Sequence, residues 1–290
     1  MSLGSHNAAE VESLPETIEV PSFDGLKLVG RWWRRGRSRG TVVVAHGFGE
    51  HGGTYGRFAG AIGRALDLEV VAVDFRGHGR SQGSRGVVGG YDELVGDLRA
   101  VLGWLDRAGA AEPRFVLGHS NGGQVALRLA LEHPAGVRGF LFSNPALKIA
   151  LPIPRATILL GRFLLAFFPW FTIKGRVQTE LLTHDPALRR ELAADPLRHT
   201  RMSAPLFFGM IEGGAMVSAR AAEITEPLLM ILGGEDPVIE PTNSREVFER
   251  FGSLDKTLLY YPRMLHEPFN ETGRERVFED VVRWLEPRLG

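Results

Sequence analysis

Short apolar runs alternate with longer segments of helical periodicity along most of the chain. The apolar runs are rich in β-branched residues, as in Thr41–Ala45, which is typical of buried strands. The longer segments repeat apolar residues at three- and four-residue spacing, as in Asp92–Ala108, which predicts amphipathic helices. The pattern predicts strands over 26–33, 41–45, 69–73, 114–117, 139–142, 228–232 and 257–260, and helices over 55–66, 92–108, 121–132, 242–251 and 274–285.

Strands that alternate with helices predict an α/β architecture, a mostly parallel central sheet with helices on both faces. The alternation stops over residues 147–224, where the chain looks helical, and resumes at Pro227. Residues 11–146 and 225–290 are therefore predicted to form one core. The block between them is predicted to be inserted over the carboxyl edge of the sheet, where such sheets bind ligands. Residues 1–10 are left out of the fold, as a disordered leader or a remnant of an expression vector.

Composition and charge exclude several classes of function. The chain has 34 lysines and arginines against 34 aspartates and glutamates, which argues against a nucleic-acid surface with its cationic excess. It has no cysteine, which rules out a disulfide framework, a thiolate metal site and a cysteine nucleophile. The first ten residues lack the pattern of a signal peptide, and prolines and arginines interrupt the apolar stretch 149–171. We therefore expect a cytoplasmic protein without a spanning helix.

The clearest chemical motif is Gly118-His119-Ser120-Asn121-Gly122, which follows a predicted strand and opens a predicted helix. The pattern G-x-S-x-G in this setting indicates a nucleophile elbow, a turn so sharp that small residues must flank the serine. Its geometry lifts the serine hydroxyl clear of the sheet. We predict that Ser120 is the catalytic nucleophile.

A serine hydroxyl needs a positioned base, and hydrolases with this elbow place an acid and then a histidine later in the chain. Of the later histidines, only His266 falls between the last predicted strand and the last predicted helix. The loop after strand 228–232 offers Glu235 and Asp236, whereas the alternative acid position, in Ser143-Asn144-Pro145, has no carboxylate. We predict that Asp236 orients the imidazole of His266.

The oxyanion that serine attack creates needs preorganised backbone donors. We predict the N–H of Asn121 as one donor and the N–H of Phe48, in the loop after strand 41–45, as the other. His46 is expected to brace that loop, and the glycines and charges of Asp74 to Ser81 are expected to form a rigid network behind the site. The chain has no phosphate-loop or dinucleotide motif and no histidine pair at metal spacing, so no metal or other cofactor is predicted.

Four segments together resemble the α/β-hydrolase superfamily and, within it, the monoacylglycerol lipase and lysophospholipase branch of the serine hydrolases. They are His46 to His51 with Tyr55, Asp74 to Ser81, the Ser120 elbow, and Gly234 to Val238 followed by Leu265 to Glu271. The resemblance implies the α/β-hydrolase fold, a helical cap or lid formed by the insertion, and hydrolysis of acyl esters through an acyl-enzyme. Two positions depart from this branch. Asn121 replaces its usual methionine and is expected to turn an amide towards the acyl pocket or the cap, and Thr54 stands where some members carry arginine.

Two features leave alternatives open. Glu50 is predicted either to contact a polar head group of the substrate or to hold its own loop. The apolar side chains between Ile158 and Phe171 fit either an ordinary cap core or an acyl tunnel with an exposed rim that contacts a membrane or micelle surface. Arg155 and Arg162 are seven residues apart, so a helix would place them on one face, where they could meet anionic head groups.

The leading hypothesis is a carboxylic ester hydrolase for medium- or long-chain acyl esters, with monoacylglycerols as the favoured substrate. A general carboxylesterase, a lysophospholipase, an acyl transferase and a peptidase are the enzyme alternatives. A ligand-sensing module with slow turnover is the alternative from another class. The expected partner is a small acyl ester or lipid, with transient membrane contact through the cap, and the oligomeric state is left open.

Overall fold

The computed structural model describes residues 14–175 and 178–290, so the predicted leader, residues 1–10, lies outside the described residues. In chain order the strands are β1 (Glu16–Pro21), β2 (Lys27–Trp33), β3 (Thr41–Ala45), β4 (Glu69–Val73), β5 (Arg114–His119), β6 (Val137–Ser143), β7 (Thr172–Lys174), β8 (Arg201–Ser203), β9 (Leu228–Gly233) and β10 (Lys256–Tyr261). The helices are α1 (Gly56–Leu66), α2 (Asp92–Ala108), α3 (Ser120–Ala130), α4 (Arg155–Phe167), α5 (Pro186–Ala194), α6 (Ala204–Arg220), α7 (Pro241–Arg250) and α8 (Arg274–Leu285).

Eight strands form the main sheet, in the order β1-β2-β4-β3-β5-β6-β9-β10. The pairs β1/β2 and β2/β4 are antiparallel, and the other pairs are parallel. Helices α1 and α8 cover one face and α2, α3 and α7 the other, so successive residues of β3 belong to opposite halves of the core. Because both faces are covered, every residue of β3, β4, β5 and β9 is buried, as expected for a parallel sheet. The predicted α/β fold with helices on both faces is confirmed.

Two parts of the fold differ from the prediction. Strand β1 was not predicted, because only Ile18 and Val20 alternate as buried residues in it. The insertion contains α4, α5 and α6, but it also contains the antiparallel ribbon of β7 and β8, in which Thr172 pairs with Ser203. The prediction of a helical block was wrong at this ribbon, since strands of three residues are too short to show a period of two.

The parallel register brings several loops to one edge of the sheet. The last residue of β3, Ala45, pairs with Gly118 of β5, and His119 pairs with Ser143 at the end of β6. Ser143 in turn pairs with Ile231 of β9. The loops that follow these four strands therefore meet at the carboxyl edge, where open α/β sheets bind ligands. Across residues 14–175 and 178–290, no helix combines the length and the apolar character that crossing a bilayer requires.

The loop after β4 forms the charge network that the sequence predicted. The Arg76 guanidinium, in a residue 5% exposed, donates to the fully buried carboxylate of Asp97 over 2.6 and 2.9 Å. Asp74 accepts the N–H groups of Gly52 at 2.7 Å and of Arg80 at 2.8 Å. The network fixes the loop that lies beside the end of β3.

Replacing Asp97 by alanine is expected to lower the free energy of unfolding by about 3 kcal/mol, because it leaves the buried Arg76 cation without its main partner. Asp92 of the same helix serves as the matched control. Its side chain is 92% exposed and pairs with Arg128, so Asp92→Ala should change stability little. Urea unfolding of the three proteins measures the difference, and equal losses for both variants would contradict the prediction.

Candidate active site

Ser120 occupies a turn that leaves almost no room around it. Its φ is +51°, a left-handed conformation that is strained for a residue with a side chain. A Cβ at Gly118 would lie 2.4 Å from the carbonyl oxygen of Gly122, and a Cβ at Gly122 would lie 2.1 Å from that of Ala45. The two glycines therefore let β5, α3 and the end of β3 approach each other, with the serine at the tip of the turn.

The structure brings Ser120, His266 and Asp236 together. His266 Nε2 lies 2.9 Å from Ser120 Oγ, and His266 Nδ1 lies 2.7 Å from Asp236 Oδ2. The second carboxylate oxygen of Asp236 accepts the N–H of Val238 at 2.7 Å, which fixes the carboxylate. Glu235, the neighbouring candidate, is exposed. The chain therefore contains a hydrogen-bonded serine, histidine and aspartate in the geometry of an activated nucleophile.

The environment of His266 favours the charged imidazolium. Burial lowers the pKa of this group, but the carboxylates of Asp236, Glu267 and Glu50 outweigh burial and raise it above its ordinary value. Asp236 contributes both its charge and its hydrogen bond. His266 is thus suited to take a proton from the Ser120 hydroxyl.

The two predicted oxyanion donors come from the first turn of α3 and from the loop after β3. The N–H of Asn121 belongs to the first turn of α3, where N–H groups have no acceptor within the helix. In the loop after β3, the N–H of Gly47 donates to Glu50 Oε2 at 3.1 Å. In the described part of the chain, the N–H of Phe48 donates to no protein acceptor. Phe48 also lines the cavity that contains Ser120.

The side chain of Asn121 does not line the acyl pocket, one of the two positions expected for it; it bonds Tyr91, which packs against Gly209 of the insertion. Its amide oxygen accepts the hydroxyl of Tyr91 at 2.7 Å, and the residue is 1% exposed. Among the described residues, it is not one that lines the cavity at Ser120. The amide oxygen therefore has its partner beside the start of α2, and the side chain does not enter the cavity at Ser120.

His46 braces its loop, as the sequence suggested. Its Nδ1–H donates to the carbonyl of Gly47 at 2.8 Å, and its Nε2 accepts the N–H of Phe75 at 2.9 Å. Burial lowers the pKa of His46 to about 3. The ring therefore stays neutral and links the loop after β3 to the loop after β4.

The position of Glu50 is compatible with both of its predicted roles, contact with a polar head group and support of its own loop. Its Oε2 accepts the N–H of Gly47 and the hydroxyl of Tyr55, at 3.1 and 3.2 Å, so it holds its own loop. It also lines the cavity at Ser120. Its Oε1 lies 3.8 Å from Nε2 of His119 and 3.8 Å from Nη2 of Arg198.

Two residues that position the loops of Asp236 and His266 were not recognised in the sequence. Asn144 Nδ2 donates to the carbonyl of His266 at 2.7 Å, and its Oδ1 accepts the N–H of Gly233 at 2.9 Å. It therefore joins the histidine loop to the end of β9. Glu271 is fully buried and accepts the N–H groups of Leu265 and His184, each at 3.1 Å. It joins the histidine loop to the insertion.

A cavity opens at Ser120, with polar groups at the reacting end and mostly apolar walls elsewhere. The insertion supplies part of the wall and the core supplies the rest. The residues that line it are Phe48, Glu50, Ser120, Ile149, Leu151, Ile153, Gly175, Leu182, Arg198, Met202, Phe207, Met210, Val238, Ile239 and His266.

The sheet order, the elbow and the hydrogen-bonded serine, histidine and aspartate define an α/β-hydrolase. The chain belongs to the family described as serine aminopeptidase, S33, whose sequence profile matches residues 36–273. It is 33% identical over 252 residues to a monoacylglycerol lipase of Mycolicibacterium smegmatis, which covers 87% of this chain and 89% of that protein.

Solved structures agree with this relationship. A Paleococcus ferrophilus monoacylglycerol lipase superposes with a TM-score of 0.81 at 29% identity, covering 91% of this chain and 99% of that one. A monoglyceride lipase of Saccharomyces cerevisiae superposes with a TM-score of 0.83 at 25% identity, covering 98% of this chain and 100% of that one. The predicted resemblance to monoacylglycerol lipases of the α/β-hydrolase superfamily is confirmed.

The raised pKa of His266 leads to a pH prediction. Since the base must be neutral to act, kcat/KM should fall as pH falls through the pKa of His266, with a midpoint above the ordinary value of 6.5. Asp236→Asn should move that midpoint to lower pH and reduce kcat by about 10⁴-fold. Ester hydrolysis followed from acid to alkaline pH measures both effects. Glu235→Gln is the matched control, and an equal loss in that variant would contradict the assignment.

Proposed function

We propose that the protein is a monoacylglycerol lipase that cleaves medium- or long-chain acyl esters with Ser120, His266 and Asp236. The observation that carries the proposal is the position of the Ser120 hydroxyl at the polar end of a largely apolar cavity. The similarity to relatives named monoacylglycerol lipase supports the choice of substrate.

Acylation begins when Ser120 Oγ attacks the ester carbonyl and His266 Nε2 takes its proton. Asp236 holds the Nδ1–H of the ring and stabilises the imidazolium as it forms. The N–H groups of Phe48 and Asn121 receive the developing oxyanion, and each such donor contributes about 3 kcal/mol to transition-state stabilisation. His266 then gives its proton to the leaving glycerol oxygen, which leaves the acyl group on Ser120.

Deacylation repeats these steps with water as the nucleophile. His266 takes a proton from the water, which attacks the acyl-serine carbonyl, and the same two N–H groups hold the second oxyanion. The proton passes to Ser120 Oγ as the fatty acid leaves. Each proton moves between His266 and Ser120, the leaving alcohol or the attacking water. His266 therefore returns to its neutral form at the end of each half of the reaction.

The insertion acts as a cap in this proposal, over residues 147–224. Its Leu182, Met202, Phe207 and Met210 line the cavity, opposite Val238 of the core. These side chains suit an acyl chain, since burial of each methylene contributes about 0.8 kcal/mol. A mostly apolar wall favours the acyl chain of a lipid ester over a peptide or a short ester.

Hydrolysis of 1-monooleoylglycerol and of p-nitrophenyl esters from C2 to C16 tests the activity. Ser120→Ala is expected to reduce turnover of both substrates by about 10⁶-fold, because it removes the nucleophile. Preference for the long acyl chains and the monoacylglycerol would support the proposal. Activity confined to short esters would make the protein a general carboxylesterase, and activity on lysophospholipids alone a lysophospholipase. If no substrate shows turnover that Ser120→Ala abolishes, the ligand-sensing alternative would be favoured.

We propose further that the cap contacts lipid surfaces, while the protein itself is cytoplasmic. Within α4 only Gly161 and Leu164 are buried. Leu159, Phe167 and Trp170 are 67%, 64% and 66% exposed, so an apolar patch faces outwards beside the cavity. Apolar patches of this kind mark interaction sites. Arg155 and Arg162 are also exposed on α4 and suit anionic head groups.

The double variant Phe167→Ser/Trp170→Ser tests this contact. We expect roughly tenfold weaker co-sedimentation with anionic lipid vesicles, because two large apolar side chains no longer enter the interface. Hydrolysis of monooleoylglycerol in vesicles should fall, while that of soluble p-nitrophenyl butyrate should not. Leu254→Ser is the control, since Leu254 is fully exposed (103%) away from the cap. Equal losses in both variants, or unchanged vesicle binding in the double variant, would overturn the proposal.

A further inference from the structure

A second cluster of charged side chains lies beside the triad and takes no part in the proposed chemistry. The carboxylates of Glu50 and Glu267 are in residues 5% and 3% exposed, and both line a small cavity with His119. One carboxylate oxygen from each and a ring nitrogen of His119 all lie within 4.8 Å of one another. Two buried carboxylates at such a distance repel each other, so one of them tends to take up a proton unless a cation is present.

Arg198 of the insertion is that cation. Its Nη2 lies 3.4 Å from Glu267 Oε1 and 3.8 Å from Glu50 Oε1, and its side chain is 13% exposed. In the described ranges no other arginine or lysine forms an ion pair with either carboxylate. His119 does not replace it, because burial lowers the pKa of His119 to about 3 and the ring is neutral.

The directions of the pKa shifts agree with this arrangement. Burial and the charge of Glu50 raise the pKa of Glu267 above its ordinary value, and Arg198 limits that rise. Glu267 directly follows His266 and is one of the carboxylates that raise the pKa of the histidine. Three other titratable groups face this cluster. Asp236 bonds His266, and Asp195 lies near Arg198 and bonds His51. The third is Tyr55, whose pKa is raised by burial.

The backbone ties the same two segments together. The N–H of Glu267 donates to the carbonyl of Leu182 at 2.9 Å, and Thr183 Oγ1 donates to the carbonyl of Asn270 at 2.7 Å. The insertion is therefore seated directly on the loop that carries His266. Arg198 adds an ion pair with Glu267 to the hydrogen bonds that already join the insertion to this loop.

We propose that Arg198 is a positioning residue that favours the ionised form of Glu267 beside the catalytic histidine while the insertion is seated. The basicity of His266 then depends on a residue of the insertion. The inference rests on the proposed function, because it takes His266 as the catalytic base.

The proposal predicts how the charges respond when Arg198 is replaced. In Arg198→Gln, burial and Glu50 act on Glu267 unopposed, so Glu267 takes up a proton at higher pH. A neutral Glu267 no longer stabilises the imidazolium, and the pKa of His266 falls. The acid limb of the pH profile of kcat/KM should therefore move to lower pH. The plateau should fall by about fivefold, a small part of what a general base contributes.

Arg198 and Glu267 should act as one unit. Glu267→Gln is expected to give the same displaced profile as Arg198→Gln, and the double variant should resemble either single variant, because Arg198 acts through Glu267. Arg198→Lys should restore the wild-type profile. Arg190→Gln removes an exposed arginine of α5 and is the matched control. A purely structural role for Arg198 would lower kcat without moving the profile.

The decisive experiment does not depend on turnover. Carbon-13 NMR of glutamate-labelled Ser120→Ala protein follows the titration of the Glu267 carboxyl. The signal is assigned to Glu267 because it disappears in Glu267→Gln. We expect the Glu267 midpoint to rise in Arg198→Gln and to stay in place in Arg190→Gln. An unchanged midpoint, or an acid limb that moves to higher pH, would overturn the proposal.

If Arg198→Gln does not fold, Glu267→Gln carries the test alone. Titration of His266 by NMR in the Ser120→Ala background should then give a lower midpoint than in the same protein with Glu267 intact, and an unchanged or higher midpoint would overturn the role of Glu267. A protein without ester hydrolysis would refute the proposed function. The NMR titration of Glu267 in Arg198→Gln would still decide the role of Arg198, and that of His266 in Glu267→Gln would decide the role of Glu267.

Discussion

The turn at Ser120 is the constraint on which the site depends. Because no side chain fits at Gly118 or Gly122, α3 starts directly against the end of β3, and the loop after β3 comes within reach of the serine. The same turn holds Ser120 at a φ of +51°, at a cost of order 1–3 kcal/mol that the surrounding packing must offset. The buried strands β3 and β5 on each side provide that packing.

Around this turn, each proposed catalytic group is held by residues that take no part in the proposed chemistry. Asn144 joins the loops of the acid and the histidine, while His46 links two loops beside the proposed oxyanion site through a neutral ring. Glu271 fastens the histidine loop to the insertion without any exposure to solvent. Such fixed partners matter because electrostatic stabilisation of a transition state works only with donors and charges already in place.

The sequence was informative where a signal is local. The elbow is a pattern of five adjacent residues, and the choice of His266 and Asp236 followed from their places after predicted strands. The partners of Asn144, Glu271 and Arg198 lie 122, 87 and 69 residues away in the chain, and no spacing rule reveals contacts of that kind. Strands β7 and β8 were missed because they have only three residues each, and β1 because only two of its six residues are buried. Tertiary pairing stabilises these strands more than their own periodicity.

Helix α4 and residues 182–199 of the insertion are held in place by different contacts. Helix α4 buries only Gly161 and Leu164, so its position depends on few contacts. Residues 182–199 are instead held by Glu271, by Glu267 and by the pair of His51 with Asp195 at 2.7 Å. No residue of α4 takes part in these bonds, so a displacement of α4 would leave them intact. A displacement of residues 182–199 would break bonds to the loop of His266, so that segment must stay seated for the base to keep its geometry.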